Sequence, residues 1–600
     1  MRTRTLHLSI LTAYAAGVFT AALFSPSTAY AAGPPNAYIV HNLVADQPGI
    51  ADFTDPNLVN PWGLYTTTSS PFWVNNAGTG LATVYSSNGA VSATKIPVPP
   101  SAKGSSPSVA TGGIANATGG FQVNGKAPTF IFVTADGTIS ADTGSTGVIQ
   151  VDNSSSGAIY YGFTAAGSAT AGPPAPTLYV ANFASGKIEV YDTNYKPTTV
   201  SGTFTDPAVP AGYAPFNIWN LGNKLYVMWA KQNSSKTFSA AGAGNGAVSI
   251  FDLNGNLIHN VAVGGTLNAP WGVAIAPASF GLFANDILVG NFGDGTINAF
   301  DPNTFAFQGQ LMDQNGNVIV LPGLWGLLLG NGGNGGDPNA IYFVAGTGNE
   351  KHGLLGSIQA GPTITAVANA ADTQSGIAPN TYISVYGTDL SPITRNWTNS
   401  DFGTNGTTLP TSLGGVSVTI DGKAALVYYI SPKQIDVLSP IDTANGPVNV
   451  QVTNTGLASN TMSVNESSQS PAFFLLSDHT SIAAIHAAGN IVGPTTLYAN
   501  NSSPAHAGEI IALYGTGFGV TNPAITANTS AVTAPVAGNT SGVTVTFGGT
   551  PAQVVYFGLV GSGIYQINVV VPPTATPGNA TVTATVNGVT SAGNAVINVQ

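Results

Sequence analysis

The chain predicts an all-β fold, a six-bladed β-propeller followed by two immunoglobulin-like β-sandwiches, on three observations. Thr177-Leu-Tyr-Val-Ala-Asn-Phe-Ala-Ser-Gly-Lys-Ile-Glu-Val-Tyr-Asp192 and Asp286-Ile-Leu-Val-Gly-Asn-Phe-Gly-Asp-Gly-Thr-Ile-Asn-Ala-Phe-Asp301 are near copies, offset by the distance from Thr177 to Asp286. Pro270-Trp271-Gly272 recurs as Leu324-Trp325-Gly326 at about half that offset, so the underlying unit is the shorter one. A period of this size with several short strands per unit marks propeller blades. Beyond Gly361-Pro362 a coarser repeat, whose register runs from Tyr386 to Tyr514, marks two copies of another β domain.

Within residues 37–360 each unit carries a small residue in its expected innermost strand: Gly63, Gly113, Gly162, Asn217, Gly272 and Gly326, spaced by 50, 49, 55, 55 and 54. Six units follow. The second and third are marked mainly by spacing, which leaves five or seven open. A Trp-Gly or Gly-Gly start leads to alternating strands such as Leu178-Tyr-Val-Ala181, the pattern of strands with two differently packed faces. Gly80, Gly186, Gly246 and Gly295 fall at matching turns, where glycine adopts positive φ at least cost.

The motifs Asp55-Pro-Asn-Leu-Val-Asn-Pro-Trp-Gly63, Ala214-Pro-Phe-Asn-Ile218, Asn268-Ala-Pro-Trp-Gly272, Asn291-Phe-Gly-Asp-Gly-Thr-Ile-Asn-Ala-Phe-Asp301 and Glu350-Lys-His-Gly353 resemble NHL-repeat propellers. More closely, they resemble a family of uncharacterised exported bacterial proteins built on such a propeller. The resemblance covers residues 37–360 and implies the fold without an activity. NHL repeats usually place Asp where this chain has Asn182 and Asn291, and a basic residue that Lys187 keeps and Thr296 does not.

The remainder divides into 362–470 and 471–600. Tyr382-Ile-Ser-Val-Tyr-Gly-Thr388 matches Ile510-Ile-Ala-Leu-Tyr-Gly-Thr516, Val416-Ser-Val-Thr-Ile420 matches Val543-Thr-Val-Thr-Phe547, and Gln434-Ile-Asp-Val437 matches Gln566-Ile-Asn-Val569. Closely and regularly spaced strands with Gly, Pro and Asn between them predict antiparallel sandwiches. Tyr514-Gly-Thr-Gly-Phe-Gly519 and Val545-Thr-Phe-Gly-Gly-Thr-Pro-Ala552 resemble IPT/TIG domains. The whole segment resembles the uncharacterised C-terminal domain common in secreted acidobacterial proteins.

Arg2 and Arg4, the apolar run Leu6 to Leu23 and the small residues around Ala29-Tyr30-Ala31-Ala32 predict a signal peptide over residues 1–32. The mature chain is therefore expected to be secreted, to the periplasm or the exterior, with no transmembrane segment. The absence of cysteine excludes disulfides and thiolate chemistry. Net charge is −11 and only 6% of residues are charged, with the few basic side chains scattered, so nucleic-acid binding is excluded.

Propellers receive ligands at the mouth of the central channel. Alignment of the units places Asn76, Asn182 and Asn291 on blades one, three and five, as amides that orient a polar ligand or a hydrated cation, or that support their own turns. Trp62, Trp271 and Trp325, with Trp219 near the equivalent place in blade four, stack on a sugar or fill wedges between blades. Asn349-Glu350-Lys351-His352 is the densest cluster of ionisable groups, and closure of the ring would bring His41 towards Glu350 and His352. His479 and His486 read as polar edge residues. The expected function is that of a non-enzymatic binding or scaffold protein for a protein or carbohydrate ligand, with no cofactor. The alternatives are a propeller hydrolase of the gluconolactonase-like type with a channel metal, or an adhesive outer-layer protein. The carboxylate motif of those hydrolases is replaced by Asn60-Pro61-Trp62-Gly63.

Overall fold

In the computed structural model the described residues are 37–104, 106–168, 175–404, 406–499, 501–519 and 542–600, with the backbone of Val536–Ala537. The expected signal segment lies outside them. They form two compact units, Asn36–Ala360 and Gly361–Gln600.

The first unit is a six-bladed propeller. Each blade is an antiparallel meander that begins at its innermost strand: Pro61–Tyr65, Ala110–Ala115, Tyr160–Ala166, Tyr213–Leu221, Pro270–Ile275 and Leu324–Leu329. These strands touch in cyclic order, the last against the first. Blade three has three strands; the last blade borrows its outer strand, Tyr38–Ala45, from the start of the unit. That strand pairs antiparallel with Leu354–Ala360 and closes the ring with backbone hydrogen bonds.

The repeated small residues sit where neighbouring inner strands meet. A Cβ built on Gly272 would lie 2.5 Å from the Trp325 carbonyl oxygen, and one on Gly326 would lie 2.9 Å from that of Trp62. Glycine is required here for close approach and not for an unusual φ. Asn217 is the exception, and its side chain replaces contact with bonding: Nδ2 donates to the Trp271 carbonyl at 2.9 Å, and Oδ1 accepts from the Ile218 amide at 2.8 Å.

The second unit holds two β-sandwiches. Val416–Ile420 and its counterpart Val543–Phe547 alternate buried with exposed or half-buried residues, as period-two patterning requires. In the first sandwich Ile383, Val385, Ile435 and Val437 of one sheet pack with Val416, Val418, Val450 and Val452 of the other. In the second, the long strand Thr550–Gly561 pairs with both Val543–Phe547 and Ile564–Val570, so one strand joins the two layers. Tyr382, Leu438, Phe474 and Tyr514 share an apolar cluster between the sandwiches, and the Tyr382 amide donates to Thr516 Oγ1 at 3.1 Å.

The two copies differ informatively at one matched position. Gln434 Nε2 donates to Asp436 Oδ1 at 2.9 Å, and Gln566 Nε2 donates to Asn568 Oδ1 at 2.7 Å. Asp436 is fully buried, Ser384 Oγ also donates to its Oδ1, and its Oδ2 has no partner. Burial pushes its carboxyl up to about 6. A raised carboxyl favours folding below its unfolded pKa, and that contribution is lost as pH rises through the folded value.

Two outcomes are expected. Asp436→Asn, which installs the residue of the other copy, stabilises the chain at pH 7.5 by on the order of 2 kcal/mol and has little effect at pH 4, measured by urea unfolding. Gly272→Ala destabilises the propeller by about 1–3 kcal/mol, because backbone atoms of the next blade occupy the Cβ position, whereas Gly326→Ala meets looser contacts and costs less.

Candidate functional site

The residue before each ring position points to the same end of the channel. These residues are Trp62, Gly112, Tyr161, Phe216, Trp271 and Trp325, so five of the six blades contribute an aromatic ring. The rings pack on one another across the axis. Trp62 stacks on Trp325 with centroids 3.4 Å apart, and Trp271 meets Trp62 edge-on at 6.3 Å and Trp325 at 5.8 Å. Tyr161 lies 5.2 Å from Trp62 and 5.4 Å from Phe216, which lies 5.7 Å from Trp325. All five are buried. The tryptophans thus form a plug in the channel instead of wedges between blades, and in blade four the equivalent residue is Phe216, not Trp219. Past the plug, the ring residues enclose a void of only 10 Å³, about the space of one water-sized sphere.

A second tier covers the plug. Phe183 and Phe292 follow Asn182 and Asn291, and Ala77 follows Asn76; all three join the same apolar cluster. Their amides donate to equivalent carbonyls, those of Ile159, Ala269 and Asn60, each two residues before a plug residue. Phe238, from the hairpin loop of blade four, packs on Trp62, Tyr161, Phe216, Phe292 and Trp325.

The three asparagines support these turns. Asn76 Nδ2 donates to the carbonyls of Val74 and Leu81 and to Thr83 Oγ1. Asn182 Oδ1 accepts from the amides of Ile159 and Ser185, while its Nδ2 donates to Glu189 Oε1 at 2.6 Å. Asn291 Oδ1 accepts from the Asn268 amide, and its Nδ2 donates to the Thr266 carbonyl and Thr296 Oγ1. Each carboxamide is spent on its own hairpin and the adjoining loop; Asn76 Oδ1 alone remains buried without a partner. Their shared position reflects a shared task, that of holding the tier over the plug.

Glu350 and His352 lie in the loop after the second strand of blade six, Ile341–Ala345, whose end pairs with the start of the inner strand. Gly348, Asn349 and Glu350 have φ of 61°, 55° and 65°, three consecutive left-handed residues. For the two that are not glycine this conformation costs roughly 1–2 kcal/mol each. The loop is anchored on both sides: the Gly346 amide donates to the Gly323 carbonyl, and the Asn60 amide to the His352 carbonyl. His352 Nδ1 lies 2.8 Å from Asp46 Oδ2, a contact that joins the end of the last blade to the strand that closes it. His41 is paired elsewhere, with Asp52 at 2.9 Å, so ring closure does not unite the two histidines.

Glu350 is half-buried in this loop. Burial raises the Tyr161 hydroxyl well above its ordinary range, and the charge of Glu350 adds to that shift. Burial also raises the Glu350 carboxyl, whose Oε1 is enclosed and without a hydrogen-bond partner. The indole N–H groups of Trp271 and Trp325 are likewise buried without acceptors, whereas that of Trp62 donates to Asn60 Oδ1 at 3.1 Å. Two indole donors, with Glu350 Oε1 and Asn76 Oδ1 as acceptors, are thus left without partners. The aromatic residue before each ring glycine was the sequence signal for this site, visible in every unit but the second.

Two mimiviral proteins share much of this chain. Uncharacterized protein R648 of Acanthamoeba polyphaga mimivirus is 34% identical over 334 residues, 53% of this chain and 79% of that protein. Uncharacterized protein L690 of the same virus is 30% identical over 334 residues, 53% of this chain and 85% of that protein. Residues 362–473 and 494–597 match the IPT/TIG domain. Among solved structures, the chain is similar to streptogramin B lyase, with 12% identity, a TM-score of 0.32, and coverage of 54% of this chain and 97% of that one. It is also similar to the PQQ-bound aldose sugar dehydrogenase of Streptomyces coelicolor, with 13% identity, a TM-score of 0.31, and coverage of 55% and 100%. Among the described residues no helix is long and apolar enough to cross a membrane. With its propeller and paired IPT/TIG sandwiches, the chain belongs to the family of the mimiviral proteins R648 and L690.

Proposed function

We propose that the chain is an exported binding or scaffold protein whose propeller mouth, centred on Glu350, takes a protein or carbohydrate ligand, with the sandwiches as spacer or surface-interaction module. The observation that carries this reading is the carboxylate itself. An ionised oxygen enclosed without a donor is costly, and a ligand hydroxyl, amide or ammonium group would supply the missing bond. The strained left-handed backbone that presents it is of the kind that clusters at binding sites. Export rests on the pattern of residues 1–32.

Channel packing favours this reading over a propeller hydrolase. A hydrolase of the gluconolactonase-like type needs room along the axis for a metal and a substrate, and here the axis is filled by indole, phenol and phenyl rings. Asn60, standing where such enzymes carry a carboxylate, spends its Oδ1 on the indole of Trp62.

Glu350→Gln separates ligand binding from folding. It removes a partly buried charge and keeps the shape, so it is expected to raise unfolding stability at pH 7 and to leave it little changed at pH 3, below the unfolded carboxyl's range, where both chains are protonated. On an immobilised glycan and extracellular-protein array, the same variant should lose at least tenfold in affinity for any ligand the wild type retains. Unchanged binding by the stabilised variant would contradict the assignment of the mouth.

A further inference from the structure

The second sandwich carries a serine, a histidine and a glutamate in one hydrogen-bonded line, on elements that the propeller site does not use. His486 ends the short strand Ala484–His486, which pairs with Ile510–Thr516 next to Glu509. Ile491–Val492 joins that strand to Ser502–Ser503 through the pairs Ile485 with Ile491 and Val492 with Ser503. Three short pieces of chain, held by one sheet, therefore converge. His486 Nδ1 lies 2.5 Å from Glu509 Oε1, and His486 Nε2 lies 3.1 Å from Ser503 Oγ and 3.0 Å from the Ser503 carbonyl oxygen.

The protonation pattern follows from the partners. A carboxylate and a backbone carbonyl only accept, so the contacts to Glu509 and to the Ser503 carbonyl suit a ring that carries protons on both Nδ1 and Nε2; loss of the Nε2 proton keeps Nδ1–H on Glu509 and presents the Nε2 lone pair to the serine hydroxyl. If the Oγ proton moves to Nε2, the resulting imidazolium is held on one side by Glu509 and on the other by the Ser503 carbonyl. Glu509 is itself fixed by the His506 amide, which donates to its Oε2 at 3.0 Å. Glu509 is also the only formally charged side chain from residue 501 to the end, so the pair is not one of many surface ion pairs. His486 is 8% exposed, while Ser503 is half-buried beside the exposed residues Asn501, His506 and Gly508.

We propose that Ser503 is a nucleophile towards small acyl esters, with His486 as general base and Glu509 as the positioning residue. Ser503 Oγ bonds to the ester carbonyl carbon as its proton passes to His486 Nε2. The tetrahedral intermediate then breaks the ester C–O bond, and the departing alkoxide takes the proton from Nε2, leaving acyl-Ser503 and an alcohol. Water, deprotonated by His486, attacks the acyl carbon, releases the carboxylic acid and restores Ser503. No oxidant or reductant is involved.

The test uses the full chain, 4-nitrophenyl acetate and a fluorophosphonate probe, with the adduct located by peptide mass spectrometry. The expected result is a single adduct on Ser503 and a burst of nitrophenolate, both absent in Ser503→Ala. His486→Asn should slow adduct formation by about 10²-fold or more. Glu509→Gln should slow it and move the rising limb of rate against pH to lower pH, with partial rescue by Glu509→Asp; a merely structural Glu509 would leave that limb in place. Absence of an adduct on Ser503 in the folded wild type overturns the proposal, as does adduct formation at an unchanged rate in folded Glu509→Gln. Mapping on the wild type decides the matter even if the serine or histidine variant fails to fold.

Discussion

The propeller depends on how closely six inner strands approach one axis. At each ring position but one the side chain is a hydrogen atom, because a neighbouring blade already occupies the space a Cβ would need: backbone of the next blade at Gly63, Gly272 and Gly326, the Tyr65 ring at Gly113 and the Asn217 side chain at Gly162. Asn217 meets the same constraint by bonding across it to the Trp271 carbonyl. This close approach draws the preceding residues together, and five aromatic rings then fill what would otherwise be a channel. Their burial is the largest apolar gain available at the axis. Strand spacing and plug are thus two consequences of one arrangement.

The proposed function rests on where polar groups are left unmatched. With the axis filled by rings, the loop of blade six holds Glu350, whose Oε1 is enclosed without a partner. The loop's position is set by ring closure, since His352 contacts Asp46 at the end of the strand contributed by the chain's start. Packing at the axis, closure at the rim and the carboxylate at the mouth form one physical chain of dependence.

Much of this was legible in the sequence. The repeat pointed to six blades, with five or seven left open, and located the ring residues, because the close approach of neighbouring inner strands must recur once per blade. The matched strands of the two sandwiches were equally readable, since period-two burial leaves its alternation in Val416–Ile420 and Val543–Phe547. The site was only partly readable. Asn76, Asn182 and Asn291 were visible as equivalent positions, but periodicity cannot tell an amide that faces an axis from one that supports a turn. The axial direction of Trp62, Trp271 and Trp325 depends on the strand ends that set their orientation. The line from Ser503 through His486 to Glu509 left no mark in spacing, because three short strands of irregular order bring it together.

The aromatic plug holds the ring together, and Trp325 is its largest fully buried side chain, in contact with Trp62, Phe216, Phe238, Trp271 and Phe292. The most direct measurement is urea unfolding of Trp325→Ala in the full chain, followed through the propeller's transition. The expected loss is about 3–5 kcal/mol, as for a large aromatic residue removed from a close-packed core. A variant within about 0.5 kcal/mol of wild type, the range of ordinary surface substitutions, would contradict it.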